Sequence, residues 1–261
     1  MHIELLSIAA TAPSTGAAGI ALTGDSLTVK NGRGKTKIIS AWSRLQATAG
    51  FVQIVFPSGH DTTRGVRVGC AASSTTLAVI PWSSQIELQP QELLSVTIAG
   101  SATAGDVEQL CLLVRYEDLP GIAQRLITAN QLDSRFERLC TIEMSNVSTA
   151  GPSYGTPTVI TTPADLLQAN RDYAVLGATT RTACMAVYLS GPDTGNLRVG
   201  VPGDITKPEI CAQWFPLMSR ISGEACIPII SSGNKASTFA HAIADENAGT
   251  FLTTWHLALL K

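Results

Sequence analysis

The chain has 261 residues; 45% are hydrophobic, only 15% are charged, and the net charge is −2. That balance excludes the basic footprint of a nucleic-acid binder, and no apolar run reaches the roughly 18 residues a membrane-spanning helix needs. The charged fraction falls short of the quarter or so usual in soluble domains, which points to a surface that meets other protein, with a Ser/Thr/Gly-rich exterior as the alternative.

Taken in order, the first part of the chain reads as strand, turn, strand, with predicted strands at 3–8, 37–45, 50–56, 64–69, 76–80, 84–88, 93–99 and 107–116. Alternation carries several of them: Phe51, Gln53 and Val55 share one face while Val52, Ile54 and Phe56 share the other. Turn signals punctuate the runs at Pro57-Ser58-Gly59 and Ala104-Gly105-Asp106. The stretch from Gly24 to Lys37 reads as loop. A linker helix is predicted from Asp118-Leu119-Pro120, with Ile122, Leu126 and Ala129 on one stripe.

The second part predicts strands at 141–147, 173–179, 183–189, 196–201, 214–218, 226–230, 236–244 and 250–260, with turns at Gly191-Pro192-Asp193 and Ser232-Gly233-Asn234. A short helix is predicted after Thr162, with Pro163 at its first position and Asp165 returning the cap. These elements echo the first part. Ile3-Glu4 and Pro13-Ser14-Thr15-Gly16 recur at Ile142-Glu143 and Pro152-Ser153-Tyr154-Gly155, both 139 residues on. Ser58-Gly59-His60-Asp61-Thr62 recurs as Ser190-Gly191-Pro192-Asp193-Thr194, and Arg67-Val68-Gly69 as Arg198-Val199-Gly200. The expectation is an all-β chain of two tandem eight-stranded jelly-roll β-sandwiches, a double jelly roll. It divides as 1–118 for the first roll, 119–139 for a linker with a short helix, and 140–261 for the second. An immunoglobulin-like sandwich is the rival, but the Cys…Trp…Cys pattern of antibody-type domains is absent.

Motifs with a chemical ring to them are each read as structural. Gly151-Pro152-Ser153-Tyr154-Gly155 matches G-x-S-x-G, yet Pro157 and the β-branched Thr158-Val159-Ile160 oppose the helix that a nucleophile elbow needs. Gly34-Lys35-Thr36 resembles the end of a P-loop, but Val29 stands where its first Gly belongs and a strand follows. A metal-binding bicupin needs about three His per site; His2, His60, His241 and His256 include no H-x-H pair, and His60 becomes Pro192 in the other copy. Asp61 with Arg67, and Asp193 with Arg198, read as loop-shaping pairs rather than ligand sites. Trp82 and Trp214 read as packing residues, with sugar-stacking platforms as the alternative. Cys70, Cys111, Cys140, Cys184, Cys211 and Cys226 show no CxxC pair and no matched spacing, so they read as free thiols of a reducing compartment. No signal peptide is predicted from the N-terminal residues, so the Asn146-Val147-Ser148 sequon is not expected to meet glycosylation machinery. No catalytic residue, metal or cofactor is predicted, and an enzyme is not expected.

Two tandem jelly rolls without catalytic residues resemble the double jelly-roll major capsid proteins of icosahedral viruses, tectiviruses, corticoviruses and adenoviruses among them. The chain is closer in length to corticovirus-like coats than to those with large tower loops. The resemblance implies a bacteriophage-type structural protein, built as a homotrimer that presents six similar blocks. It implies assembly in the host cytoplasm, residence in the virion, and contact with neighbouring capsomers and with penton or minor capsid proteins. A turret, penton or spike protein of the same fold, and a tandem carbohydrate-binding sandwich, are the alternatives. Many relatives carry an N-terminal amphipathic helix against an inner membrane; a strand from Ile3 leaves no room for one, so internal membrane contact would fall to interior loops or another protein. Lacking a basic arm, the chain is expected to make no direct sequence-specific contact with nucleic acid.

Overall fold

The computed structural model describes the chain except for residues 12–15, 46–49, 60–64, 71–77, 102, 149–150, 161–166 and 245–247; at 68, 70 and 78–85 it describes the backbone alone. The helix predicted after Thr162 and the residues His60 and Asp61 lie outside the described residues.

The first half comprises β1 (His2–Thr11), β2 (Ala17–Ala18), β3 (Ile20–Ala21), β4 (Arg33–Arg44), β5 (Gly50–Val55), β6 (Val66–Cys70), β7 (Ala78–Leu88), β8 (Ser95–Ala99) and β9 (Val107–Asp118). The second comprises β10 (Leu126–Ile127), α1 (Ala129–Arg135), β11 (Phe136–Ser148), β12 (Thr158–Val159), β13 (Asp172–Thr180), β14 (Ala186–Ser190), β15 (Val199–Pro202), α2 (Pro208–Ala212), α3 (Trp214–Ser222), β16 (Ile227–Ser231), β17 (Phe239–Ile243) and β18 (Gly249–Leu260). The protein is mostly β, with four antiparallel sheets. Two belong to each half: β3-β1-β9-β4-β7 with β2-β8-β5-β6, then β10-β16-β13-β18-β11 with β12-β17-β14-β15. Pairing β1 with β11, β9 with β18, β4 with β13 and β7 with β16 superposes the two five-stranded orders apart from the short strands β3 and β10. The four-stranded orders superpose the same way, strand for strand.

Alternation decides which residues fill each sandwich. Leu6, Ile8 and Ala10 of β1, Leu110, Leu112 and Val114 of β9, and Ile38 and Ala41 of β4 pack on Val52, Ile54, Val96 and Ile98 of the facing sheet. The opposite faces of these strands are also apolar and buried. Ile3, Leu5, Ile39, Trp42, Cys111 and Leu113 belong to one continuous core with the second half. A sheet buried on both faces reads as near-continuous hydrophobic run, as in Leu110-Cys111-Leu112-Leu113-Val114.

Several expectations need correction. The echo at 139 residues does not preserve the face. Ile3 points to the second half, whereas Ile142 faces its own sandwich, where its neighbour Asn146 donates to the Ala240 carbonyl of the facing sheet at 3.0 Å. A strand has a period of two, so an echo one residue out of step with the structural equivalence turns every side chain over; the halves match in strand order rather than residue for residue. The linker helix begins later than predicted, at Ala129, because Pro120-Gly121 forms a turn and Thr128 caps. The Thr128 side chain accepts from the Gln131 amide at 3.2 Å while the Gln131 side chain accepts from the Thr128 amide at 2.9 Å. The strand predicted at 214–218 is the start of α3: Trp214, Phe215 and Met218 are buried at helical spacing, and Gly223, at φ 72°, ends the helix in the left-handed conformation. The strands predicted at 76–80 and 84–88 are one strand, β7, which meets a register shift opposite Ile38 and Ser40 of β4. Among the described residues, no helix is long and apolar enough to cross a membrane.

Candidate functional site: the seam between the halves

β1 has one neighbour along its whole length, β9, while β3 covers only Ile8 and Ala9 on the other side. The amides of Ile3, Leu5 and Ser7 therefore point at an open edge, and a buried unpaired amide costs free energy comparable to a lost hydrogen bond. Three separate segments supply the acceptors. The Gln124 side chain accepts from the Ile3 amide at 2.6 Å and donates to the Ile3 carbonyl at 3.2 Å. The Arg198 carbonyl accepts from the Leu5 amide at 2.7 Å. The Asp25 carboxylate accepts from the Ser7 amide at 2.9 Å. The edge of the first half is thus closed by the connection and by β15's approach from the second. The approach is close: a Cβ at Gly200 would lie 2.3 Å from the Leu5 side chain, so glycine is needed where the two backbones meet.

Asp25 is the centre of a polar cluster on this seam. Its carboxylate accepts from Arg198 at 2.5 Å and from the Tyr154 hydroxyl. The Arg198 guanidinium lies 3.8 Å over the Tyr154 ring. Tyr154 meets Tyr188 edge-on at 5.3 Å, and Tyr188 stacks on His241 at 4.4 Å. His241 is hydrogen-bonded to Ser190 through Nε2 at 3.1 Å and to the Gly155 carbonyl through Nδ1 at 3.4 Å. Burial pushes the Asp25 carboxyl up, against the pull of Tyr154, Ser7 and Arg198. Burial also works against the Arg198 charge, but Tyr154, Asp25 and Tyr188 more than offset it and hold the guanidinium above its ordinary value. We read the pair as ionised, because every contact of the Asp25 carboxylate is a donor. Burial takes the His241 imidazole down to about 4, so it is neutral at physiological pH.

A second part of the seam is aromatic. Trp42 of β4 is fully buried, meets Trp214 of α3 edge-on at 5.2 Å, and donates its indole N–H to the Met185 carbonyl at 3.1 Å. Beside it, Glu224 receives Arg115 at 2.8 Å and Lys37 at 3.3 Å from the first half. An open cleft of about 490 Å³ lies at the rim, lined by Ala10, Leu22, Pro152, Ser153, Tyr154 and Arg198 among others. Of its polar groups, Tyr154 and Arg198 are tied to Asp25 in the seam.

No protein-family model matches the chain, and no curated protein matches it. Among solved structures it is similar to the crystal structure of PBSX exported protein XepA, at 12% identity over 98% of this chain and 86% of that one. The TM-score is 0.27, too low to carry an argument about fold or function.

The residues singled out in the sequence fall as follows. Ser153 is followed by β12, not by a helix, and Gly34-Lys35-Thr36 lies inside β4. Asp193 and Arg198 are not partners: Asp193 meets Arg125 at 3.4 Å and the Ser231 amide at 2.8 Å, while Arg198 crosses the seam to Asp25. Trp214 is fully buried and presents no stacking platform; the Trp82 side chain is outside the described residues. His2 is hydrogen-bonded to the Ile122 carbonyl and the Leu119 amide, and His256 to Thr179. Among the described residues, Cys111, Cys140, Cys184, Cys211 and Cys226 are free thiols. Asn146 of the sequon is buried at 0% exposure. Of the residues that build the seam, Asp25 and Gln124 carry no signal in the sequence and Tyr154 enters it only as part of the turn motif, because separate segments with no shared motif bring them together.

Proposed function

We propose that the protein is a viral major capsid protein, a double jelly-roll subunit that assembles as pseudo-hexagonal trimers into an icosahedral shell. One observation carries the reading: both halves repeat a single strand order. With β3 and β10 set aside and the rest counted one to eight within each half, the sheets run 1-8-3-6 and 2-7-4-5 in both. That is the order two nested Greek keys produce, and it supports the double jelly roll with divisions near 118 and 140. The low charge supports a building block whose surfaces meet protein. On this reading the subunit is structural and not an enzyme. It resides in the virion after assembly in the host cytoplasm, and it meets its own copies, penton or minor capsid proteins and, through interior loops, an inner membrane where one is present. The buried Trp214 counts against the carbohydrate-binding alternative.

Sedimentation of the purified protein, followed by electron microscopy at high concentration, tests the proposal. Trimers that build sheets or shells are expected; a chain that stays monomeric at every concentration overturns it.

A further inference from the structure

We propose that the outer face of β5 and β6, around Phe51, Arg67 and Gly69, docks on the open edge of β11 in a second copy of this chain, repeating between chains the seam that each chain makes within itself. The inference rests on the capsid reading and names the surfaces that would join its subunits.

The two four-stranded sheets carry the same constellation on their outer faces. In β14 and β15, Tyr188 lies opposite Gly200, and Arg198 precedes that glycine by two residues. In β5 and β6, Phe51 lies opposite Gly69, and Arg67 precedes it by two. Each guanidinium covers an aromatic ring: Arg198 over Tyr154 at 3.8 Å, Arg67 over Phe51 at 4.1 Å. The covered ring differs, being Phe51 opposite the glycine in one sheet and Tyr154 from outside β14 and β15 in the other, and so do the surroundings. Gly200 is pressed by Leu5, whereas a Cβ at Gly69 would meet nothing within 4 Å. Glycine inside a strand weakens it and commonly marks a place where another backbone comes close. Among the described residues Gly69 has no such neighbour; a docked copy would supply one. Arg198 has the Asp25 carboxylate, whereas Arg67 donates to Gln53 at 2.8 Å and has no carboxylate partner among the described residues.

The complementary surface is β11. Its counterpart β1 is closed by the second half, but β11 is an edge strand. The Thr156 amide donates to the Val147 carbonyl at 2.8 Å and the Thr158 hydroxyl to the Ser145 carbonyl at 3.2 Å, which covers the end of that edge. By the alternation of an antiparallel strand, Thr141 and Glu143 point the same way. Among the described residues no backbone partner outside the sheet reaches them. Both are exposed, and long open edges are features that proteins ordinarily cover. Glu143 also brings negative charge to this edge, where it meets Arg181 of its own chain at 2.6 Å while more than half of its side chain stays exposed. The contact joins unlike surfaces, so it is heterologous and closes a ring only at a fixed number of chains. Three chains would give six similar seams, three within chains and three between them.

The test uses the full chain with Gly69→Trp on one surface and Glu143→Arg on the other. Each variant should keep the wild-type circular dichroism and a near-wild-type melting temperature, since the Arg181 pair that Glu143→Arg removes is exposed and worth little, and each should weaken self-association by roughly a hundredfold. Mixed, they should form one-to-one dimers, because each retains the surface the other has lost. Arg67→Glu serves in place of Gly69→Trp should the tryptophan prevent folding. If the wild type forms trimers and the variants do too, or if the mixture fails to pair, this interface is overturned and the capsid reading stands. If the wild type never associates, both fall.

Discussion

Arg198 and Arg67 sit at corresponding places on two sheets of the same order, and their surroundings could hardly differ more. Arg198 is tied to a carboxylate with 2% of its side chain exposed, and its carbonyl finishes the hydrogen bonding of β1. Arg67 is exposed, with an aromatic ring and an amide for company. The comparison teaches that a repeated unit keeps its strand order and its local chemistry while its outer faces answer to whatever lies beside them. A charge on the seam has structural weight; the same charge on the open face has little weight within one chain.

That contrast can be broken at several points. The largest effect is expected at the aromatic part of the seam: Trp42→Ala removes a fully buried indole and its contact with Trp214, and should cost about 3–5 kcal/mol in urea denaturation. Next is the polar part. Arg198→Ala leaves the Asp25 carboxylate buried without its cation and should cost about 3 kcal/mol, and Asp25→Asn should recover part of the loss. Gln124→Ala leaves the Ile3 amide and carbonyl without partners and should cost about 1–2 kcal/mol, with faster hydrogen exchange at Ile3. Acid sharpens the picture. Because burial holds the His241 imidazole down to about 4, the unfolded chain takes up a proton that the folded one refuses between that value and the ordinary 6.5 or so. Stability from this group is therefore full above about 6.5 and falls as the pH drops towards 4. Burial lowers the His256 imidazole too and adds to the same slope, so melting curves of His241→Gln should show a shallower dependence, not a flat one. The smallest effect is expected on the open face: Arg67→Ala should change the stability of the isolated chain by no more than about 0.5 kcal/mol.

Much of the sandwich was legible because period-two alternation announces a strand with two different faces, as at Phe51 to Val55. The strand order was reachable only as an expectation from the repeat, and the repeat itself misled at the level of faces, since Ile3 and Ile142 look alike in sequence and point opposite ways. Trp214-Phe215-Pro216-Leu217-Met218 reads as strand because a short apolar run carries no period of its own; its helical nature shows only in which residues the first half covers. The seam was the least legible part. Asp25 stands in a loop, Gln124 in the connection and Tyr154 beside a turn, and nothing in their spacing says that they converge on the edge of β1.

The closure of that edge has a consequence for synthesis. β1 leaves the ribosome well before the Arg198 carbonyl that satisfies its Leu5 amide. The leading strand can pair with β9 early but remains half-bonded until Arg198 arrives. Until then translation leaves a sticky border open, and a chaperone that shields it, or a pause that prolongs the wait, would set the yield of folded chain.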